Sequence, residues 1–320
     1  MQKTELSSAD KEQPIEVVSP PEPSMPPAIR QKQQTSQYLD SGKFLDSFQH
    51  EISPTAIISV EKRPDEAIVV HCNNLYEYLK FGYRKDQTEV AKIEKHKEIF
   101  EAFSMPDTVP RAMQLKSQLP EEDQVWLMDK LNAEGSAVPV EYKDGKREAI
   151  VMMNDMPTKR MLNHDGTERT EEQIQKYDRE YKRTVEHEVR HTQYYNKFGK
   201  DLEVWRKTME SLRPLTPFEQ RKYHYDRYTK DEIVAHIENE VTEDTNGNTQ
   251  VNWEGIIQNL QKGDYRFPEV FKSQQDVAEY LKVSTALVIK AKEKYGNIKS
   301  PDAIMDTIAR IDVQQFMTQA

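Results

Sequence analysis

The sequence predicts an α+β fold: a mostly helical domain with a small antiparallel sheet, followed by a helical C-terminal module. Three observations predict it. Two pairs of β-type runs are each joined by a turn signal. Between and after them lie runs of helix-forming residues with little Gly or Pro. The segment from Val251 onward is again helix-forming.

Residues 1–36 are rich in Pro, Ser, Gln and Glu, as in Val18-Ser19-Pro20-Pro21-Glu22-Pro23. Such a segment has too little apolar surface to order itself and is expected to be disordered. Order is expected from about Tyr38. Thr55-Ala56-Ile57-Ile58-Ser59-Val60, a turn at Arg63-Pro64-Asp65 and Ala67-Ile68-Val69-Val70 read as a hairpin. From about Asn74 to Leu131 the chain reads as helices punctuated by Pro106, Pro110 and Pro120. A second hairpin joins Val138-Pro139-Val140-Glu141-Tyr142 to Glu148-Ala149-Ile150-Val151-Met152-Met153 through Asp144-Gly145, a strong hairpin signal. Pro139 cannot donate to a ladder, so the first of these strands is expected at an edge.

Thr170-Glu171-Glu172-Gln173 then reads as a capping box, with Thr at the N-cap and Gln at N3. No Gly or Pro interrupts the chain from there to Phe198, and Gly199 is expected to stop the helix. A helix over about Leu202–Leu212 is broken by Pro214 and Pro217, and another is expected to begin near Thr229. Beyond the polar loop Thr245-Asn246-Gly247-Asn248 the chain returns to helix. The expected domains are therefore a tail over 1–36, a main domain over 37–268 and a helical module over 269–320.

At 320 residues the chain is long enough for one fair-sized core with appendages. No apolar run suits a membrane span, and Met1-Gln2-Lys3-Thr4-Glu5 lacks the apolar stretch of a signal peptide. The expected location is cytoplasmic, with export lacking a classical signal peptide as the alternative. A net charge of −10 argues against a general nucleic-acid coat. The single cysteine, Cys72, rules out internal disulfides and suits a reducing compartment. It also excludes Cys-rich structural zinc, so any zinc would be held by His and carboxylate.

Val185-Glu186-His187-Glu188-Val189-Arg190-His191 places His-Glu-x-x-His in the middle of the capped helix. Residues four apart share a helix face. His187 and His191 are thus side by side as Zn²⁺ requires, with Glu188 aimed at the water such an ion polarises. The plain alternative is a pair of solvent-facing histidines on a charged helix. A third ligand is needed. One arrangement uses a His six residues after the second, with Gly between them; Lys197 and Tyr194 stand there, so it is absent. Another uses a Glu on a later helix. Glu232 opens such a helix, and its neighbour Ala235 is small enough to let two helices approach. Its plain alternative is a carboxylate favoured by the helix dipole. His236, Glu238 and Glu240 are the other candidates. Tyr194, Tyr195, His224, Tyr225 and Tyr228 are candidate oxyanion stabilisers, His224 and Tyr225 slightly ahead because they precede the ligand helix.

The HExxH helix, the hairpin before it and Glu232-x-x-Ala235 resemble the zincin metallopeptidases, closest to the gluzincin group with its downstream Glu ligand. The resemblance covers about residues 138–240. It departs from the pattern at His236, where an Asp supporting a ligand histidine is expected. It implies that His187, His191 and Glu232 bind zinc, and that Glu188 is the general base for hydrolysis of a protein or peptide substrate. The edge strand of the second hairpin would receive an extended substrate.

Ser273-Gln274-Gln275-Asp276-Val277-Ala278-Glu279-Tyr280-Leu281-Lys282-Val283-Ser284 resembles a helix-turn-helix segment, with Lys282 where the turn Gly is expected. Lys290, Lys292 and Lys294 would then meet phosphates, although Asp276, Glu279 and Glu293 dilute the patch. An ordinary helical hairpin closing the domain is the simpler account. The alternatives to a peptidase are therefore a regulatory protein whose C-terminal module binds DNA or a partner, and a pseudo-enzyme whose metal site is structural.

Overall fold

Two strands that are apolar on both faces set the layers of this protein. The structure, a computed structural model, describes residues 36–49, 53–163, 166–243, 249–262, 273–295 and 301–318. The expected disordered tail lies outside the described residues up to residue 35, as does the whole of the loop at 245–248. After β1 (Gln37–Leu39) and α1 (Ser41–Asp46), the first hairpin forms as β2 (Ile57–Lys62) and β3 (Ile68–Cys72). Helices α2 (Leu75–Gly82), α3 (Gln87–Lys95), α4 (Lys97–Ser104), α5 (Val109–Ser117) and α6 (Glu121–Asn132) follow, and then the second hairpin, β4 (Gly135–Glu141) and β5 (Arg147–Asn154). Gly145 takes φ 83° in its turn, a conformation that favours glycine.

The sheet order is β1-β2-β3-β5-β4. The expectation of an antiparallel sheet is corrected, because β3 and β5 run parallel and the sheet is mixed. The reason is the connection. Helices α2–α6 carry the chain from β3 to the far edge of the sheet, where β4 runs opposite to β3, and the tight β4–β5 turn then lays β5 between them, parallel to β3. The edge position expected for β4 from Pro139 is found.

Residues one apart face opposite sides of a sheet. Val70, Cys72, Ile150 and Met152 therefore pack under α2–α6. Val69, Val151 and Met153 face the other way, against Val189 and Val185 of the long helix α8 (Glu171–Tyr194), which follows the short α7 (Pro157–Met161). The capping box of α8 is complete: Gln173 N–H donates to Thr170 Oγ1 (3.3 Å) and Thr170 N–H to Gln173 Oε1 (2.8 Å).

Gly199 does not stop this helix. A π-turn at Tyr195–Gly199 carries it straight into α9 (Lys200–Leu212). Gly199 keeps right-handed helical angles, and a Cβ there would stand 2.8 Å from Tyr195 Cδ2. The glycine makes room for a ring instead of capping. The same device recurs downstream: α10 (Pro217–His224) passes through a π-turn at Tyr225–Thr229 into α11 (Lys230–Glu240). Thr229 is thus inside a continuous helical run, not at the start of a helix.

The hairpin of β6 (Val241–Glu243) and β7 (Thr249–Val251) leads to α12 (Trp253–Lys262), α13 (Gln274–Tyr295) and α14 (Pro301–Arg310). The helix-turn-helix expectation is corrected: α13 is unbroken over 22 residues. Lys282 is a good helix former, and nothing between Gln274 and Tyr295 supplies a break. The expected boundary at 268/269 falls outside the described residues. On its far side, Tyr280, Val283 and Leu287 of α13 and Ile304 and Ile308 of α14 share one apolar cluster with Ile233, Val234 and Ile237 of α11. Residues Thr35–Ala320 accordingly pack as one unit. Among the described residues no helix is long and apolar enough to cross a membrane.

This shared cluster makes a prediction. Leu287 is fully buried, so Leu287→Ala should cost ~2–5 kcal/mol in a urea denaturation curve. An unchanged midpoint would contradict the packing that joins α13 to α11.

Candidate metal centre

The cleft forms where α8 crosses between the edge strand β4 and α11. Its volume is about 290 Å³, and the residues around it include Gly135, Ala137, His187, Glu188, His191, Arg227, Tyr228, Asp231 and Glu232. One turn of α8 separates the two histidines, and their Nε2 atoms stand 3.1 Å apart. Nitrogens held tetrahedrally at about 2.0–2.1 Å from a common ion stand about 3.3 Å apart, so the spacing fits zinc closely.

Both rings are oriented from α11. Asp231 Oδ1 lies 2.8 Å from His191 Nδ1. With a metal ion at Nε2, this contact would keep the remaining proton on Nδ1 and leave the Nε2 lone pair to the ion. The carbonyl of Ala235 is the backbone hydrogen-bond partner of the His187 ring. Sequence reasoning expected a carboxylate at position 236 for this task and missed Asp231, which is only one residue before Glu232. A carboxylate beside a presumed ligand was the available signal.

The other candidates fall as follows. Glu232 Oε1 stands 3.9 Å from His191 Nε2, and Oε2 stands 4.0 Å from His236 Nε2. Glu232 is outside the tightest group: among the described residues only His187, Glu188 and His191 place ligand atoms all within 4.8 Å of one another. The His236 ring centroid is 4.9 Å from that of His187, so this histidine is at the site and not on a remote face. Glu240 is engaged elsewhere, accepting from Asn252 Nδ2 (2.7 Å) and Asn259 Nδ2 (2.8 Å). The side chain of Glu238 lies outside the described residues.

The electrostatics favour one concentrated positive charge. Burial opposes charge on His191, but Asp231 and Glu232 outweigh it and lift its pKa to about 10. Burial, with His191 and His236 nearby, presses His187 down to about 2. Burial likewise lowers His236 to about 4, helped by His191. Glu232 is raised to about 7, first by burial and then against the pull of His191 by Asp231 and Glu188. Burial also raises Glu188. Carboxyls outnumber the protonated rings here, and a divalent cation would relieve that imbalance. The two histidines therefore have the spacing and orientation that a zinc ion requires.

Glu188 lies beneath the free edge of β4. The Ala137 backbone N–H donates to its carboxyl, and a Cβ on Gly135 would come within 3.1 Å of its Cγ. Absence of a side chain at Gly135 is what lets the strand pass this close.

Of the aromatic candidates, Tyr194, Tyr195 and Tyr228 line the cleft. The Tyr195 hydroxyl is spent on Glu203 Oε2 at 2.7 Å. The preference for Tyr225 and His224 is corrected. Tyr225 is buried against Tyr280 in the helical core, and His224 stacks on Tyr228 behind the cleft (centroids 6.1 Å). The π-turn before α11 accounts for this, since the extra residue per turn shifts which side chains face the cleft. It brings Arg227 there, a residue the sequence reading passed over; its guanidinium lies 5.2 Å from the Tyr228 ring centroid and donates to Tyr223 Oη at 3.2 Å.

No protein-family model, no curated protein and no solved structure matches this chain.

Proposed function

We propose that the protein is a zincin-like, zinc-dependent peptidase of the gluzincin type, holding Zn²⁺ by His187, His191 and Glu232. The observation that carries this reading is the pair of Nε2 atoms 3.1 Å apart, with the partly buried Glu188 beside them under an open strand edge. When bound, zinc supplies Lewis acidity that lowers the pKa of water to about 7 and polarises a carbonyl. The protein's own residues do the rest. Glu188 takes a proton from the attacking water and passes it to the leaving amine nitrogen as the C–N bond breaks. Burial raises its pKa, as suits a carboxyl that must return the proton it accepts. Asp231 and the Ala235 carbonyl hold the imidazoles in the tautomer that presents Nε2.

Substrate backbone would add to β4, but only along Gly135–Ala137. Further up the strand, the Pro139 carbonyl already accepts from Arg84 and the Glu141 carbonyl from the Gln49 N–H (3.0 Å). Pro139 also has no N–H to offer. With the Ala137 N–H already donating to Glu188, an extended chain would find its partners at Gly135 and the Ala137 carbonyl and lose them one residue pair away.

The test is a pool of peptides of mixed sequence, incubated with zinc-loaded protein and read by mass spectrometry. New termini that vanish on chelation and return with zinc are expected; an unchanged pool, or cleavage indifferent to chelator, would sink the reading. Asp231→Ala should weaken zinc affinity by ~10–100-fold through loss of the His191 orientation, measured by competition with a chromogenic chelator. Affinity equal to wild type would mean that Asp231 does not serve the site.

A further inference from the structure

Away from the histidines, a second cavity of about 310 Å³ lies between α4–α7 and the start of α8. It shares no lining residue with the cleft. Its volume falls at the lower end of small-ligand sites, about 300–1,000 Å³. About half of the lining is apolar and adaptable, with Phe103, Met113, Met128, Leu131, Met156 and Leu162. Thioether side chains reshape themselves around flexible apolar groups.

The polar part of the lining holds two cations beside the neutral Asn132, Thr158 and Asn163. Lys159 Nζ donates to the Ala133 carbonyl (2.6 Å), and Arg169 Nε donates to the Leu162 carbonyl (2.9 Å). Those contacts leave further N–H donors on both groups. Among the described residues neither cation has a carboxylate within ion-pair distance. The acidic residue in the lining, Glu134, accepts from the Thr184 hydroxyl at 3.1 Å. Burial draws Lys159 down to about 8, opposed by Glu134, so it remains a cation at neutral pH. The third group is Tyr177, 5% exposed, whose ring lies 5.1 Å from the Arg169 guanidinium. Its hydroxyl is buried and has no hydrogen-bond partner among the described residues. Buried polar groups are nearly always paired, so an orphaned hydroxyl in a cavity wall beside two cations points to an absent acceptor.

We propose that this cavity binds an amphipathic monocarboxylate, with an aliphatic tail among Met113, Met128 and Leu131 and the carboxylate received by Lys159, Arg169 and the Tyr177 hydroxyl. Two cations offset by Glu134 suit a single negative charge. Guanidinium and carboxylate are matched for paired hydrogen bonds. The depth of apolar wall rejects small polar anions, which would gain nothing from it. This site does not depend on the metal reading of the cleft.

The experiment is calorimetric titration of the full chain with decanoate, decanol and acetate at fixed ionic strength. Decanoate should bind, and decanol and acetate should each bind at least ~10-fold more weakly, since one lacks the charge and the other the tail. The double substitution Lys159→Met and Arg169→Met should lose at least ~10-fold in decanoate affinity with a cooperative melt retained. Should that variant fail to fold, Tyr177→Phe, which removes only the hydroxyl, decides, and a several-fold loss is expected. Absence of decanoate binding, decanol binding as tightly as decanoate, or affinity unchanged in the variants would overturn the proposal.

Discussion

Replacing Glu188 with Gln is expected to lower peptide hydrolysis by a factor of ~10²–10⁴ while zinc content stays at the wild-type level. Gln matches Glu in shape, so the contact with the Ala137 N–H can persist through the amide oxygen. It cannot accept the proton that the attacking water must lose. The imidazoles are oriented by Asp231 and Ala235, not by Glu188, so the ligand geometry should survive. The thermal melt should hardly move, because the exchange removes a carboxyl that burial disfavours and leaves the Val189 packing against the sheet intact. Equal turnover in the two proteins, measured on any peptide that the wild type cleaves, would remove Glu188 from the mechanism.

The second large effect separates the groups on α11. Glu232→Ala is expected to weaken zinc binding sharply, by more than the ~10–100-fold expected when only a supporting partner is lost, as in His236→Ala. Glu232 Oε1 already stands 3.9 Å from His191 Nε2 and needs only a side-chain adjustment to share an ion with it. His236 is one helical turn on, with its Nε2 4.0 Å from the Glu232 carboxylate. A side-chain adjustment would bring it close enough to donate to that carboxylate and hold it. Competition titration of both variants checks the order. If His236→Ala abolished binding and Glu232→Ala were mild, the centre would be a three-histidine site and the gluzincin reading would fail.

How much of this was legible follows from how far each signal reaches along the chain. The capping box at Thr170, the Asp-Gly turn at 144–145 and the HExxH spacing act within a few residues, and each appears as expected. The edge position of β4 was also readable, because Pro139 excludes an interior place. What was illegible depends on long-range packing. The parallel pairing of β3 with β5 arises because α2–α6 carry the chain to the outer strand β4 first and the second hairpin then lays β5 beside β3, which no local pattern announces. Gly199 and Thr229 carry ordinary boundary signals, yet both sit in π-turns inside continuous helices, where ring packing overrides propensity. Those turns decide that Arg227 reaches the cleft and that Tyr225 does not. Helix-turn-helix spacing in 273–291 failed for the opposite reason. Its apolar positions serve the cluster shared with α11, and a straight helix satisfies them equally well.

The most direct test of the central claim is the zinc content of the purified full chain after dialysis against trace zinc, beside that of His187→Ala and His191→Ala. The account predicts about one zinc per chain in the wild type and none retained by either variant, because each loses one of two nitrogens that face a shared position. A wild type that holds no zinc, or variants that keep as much as the wild type, would contradict it.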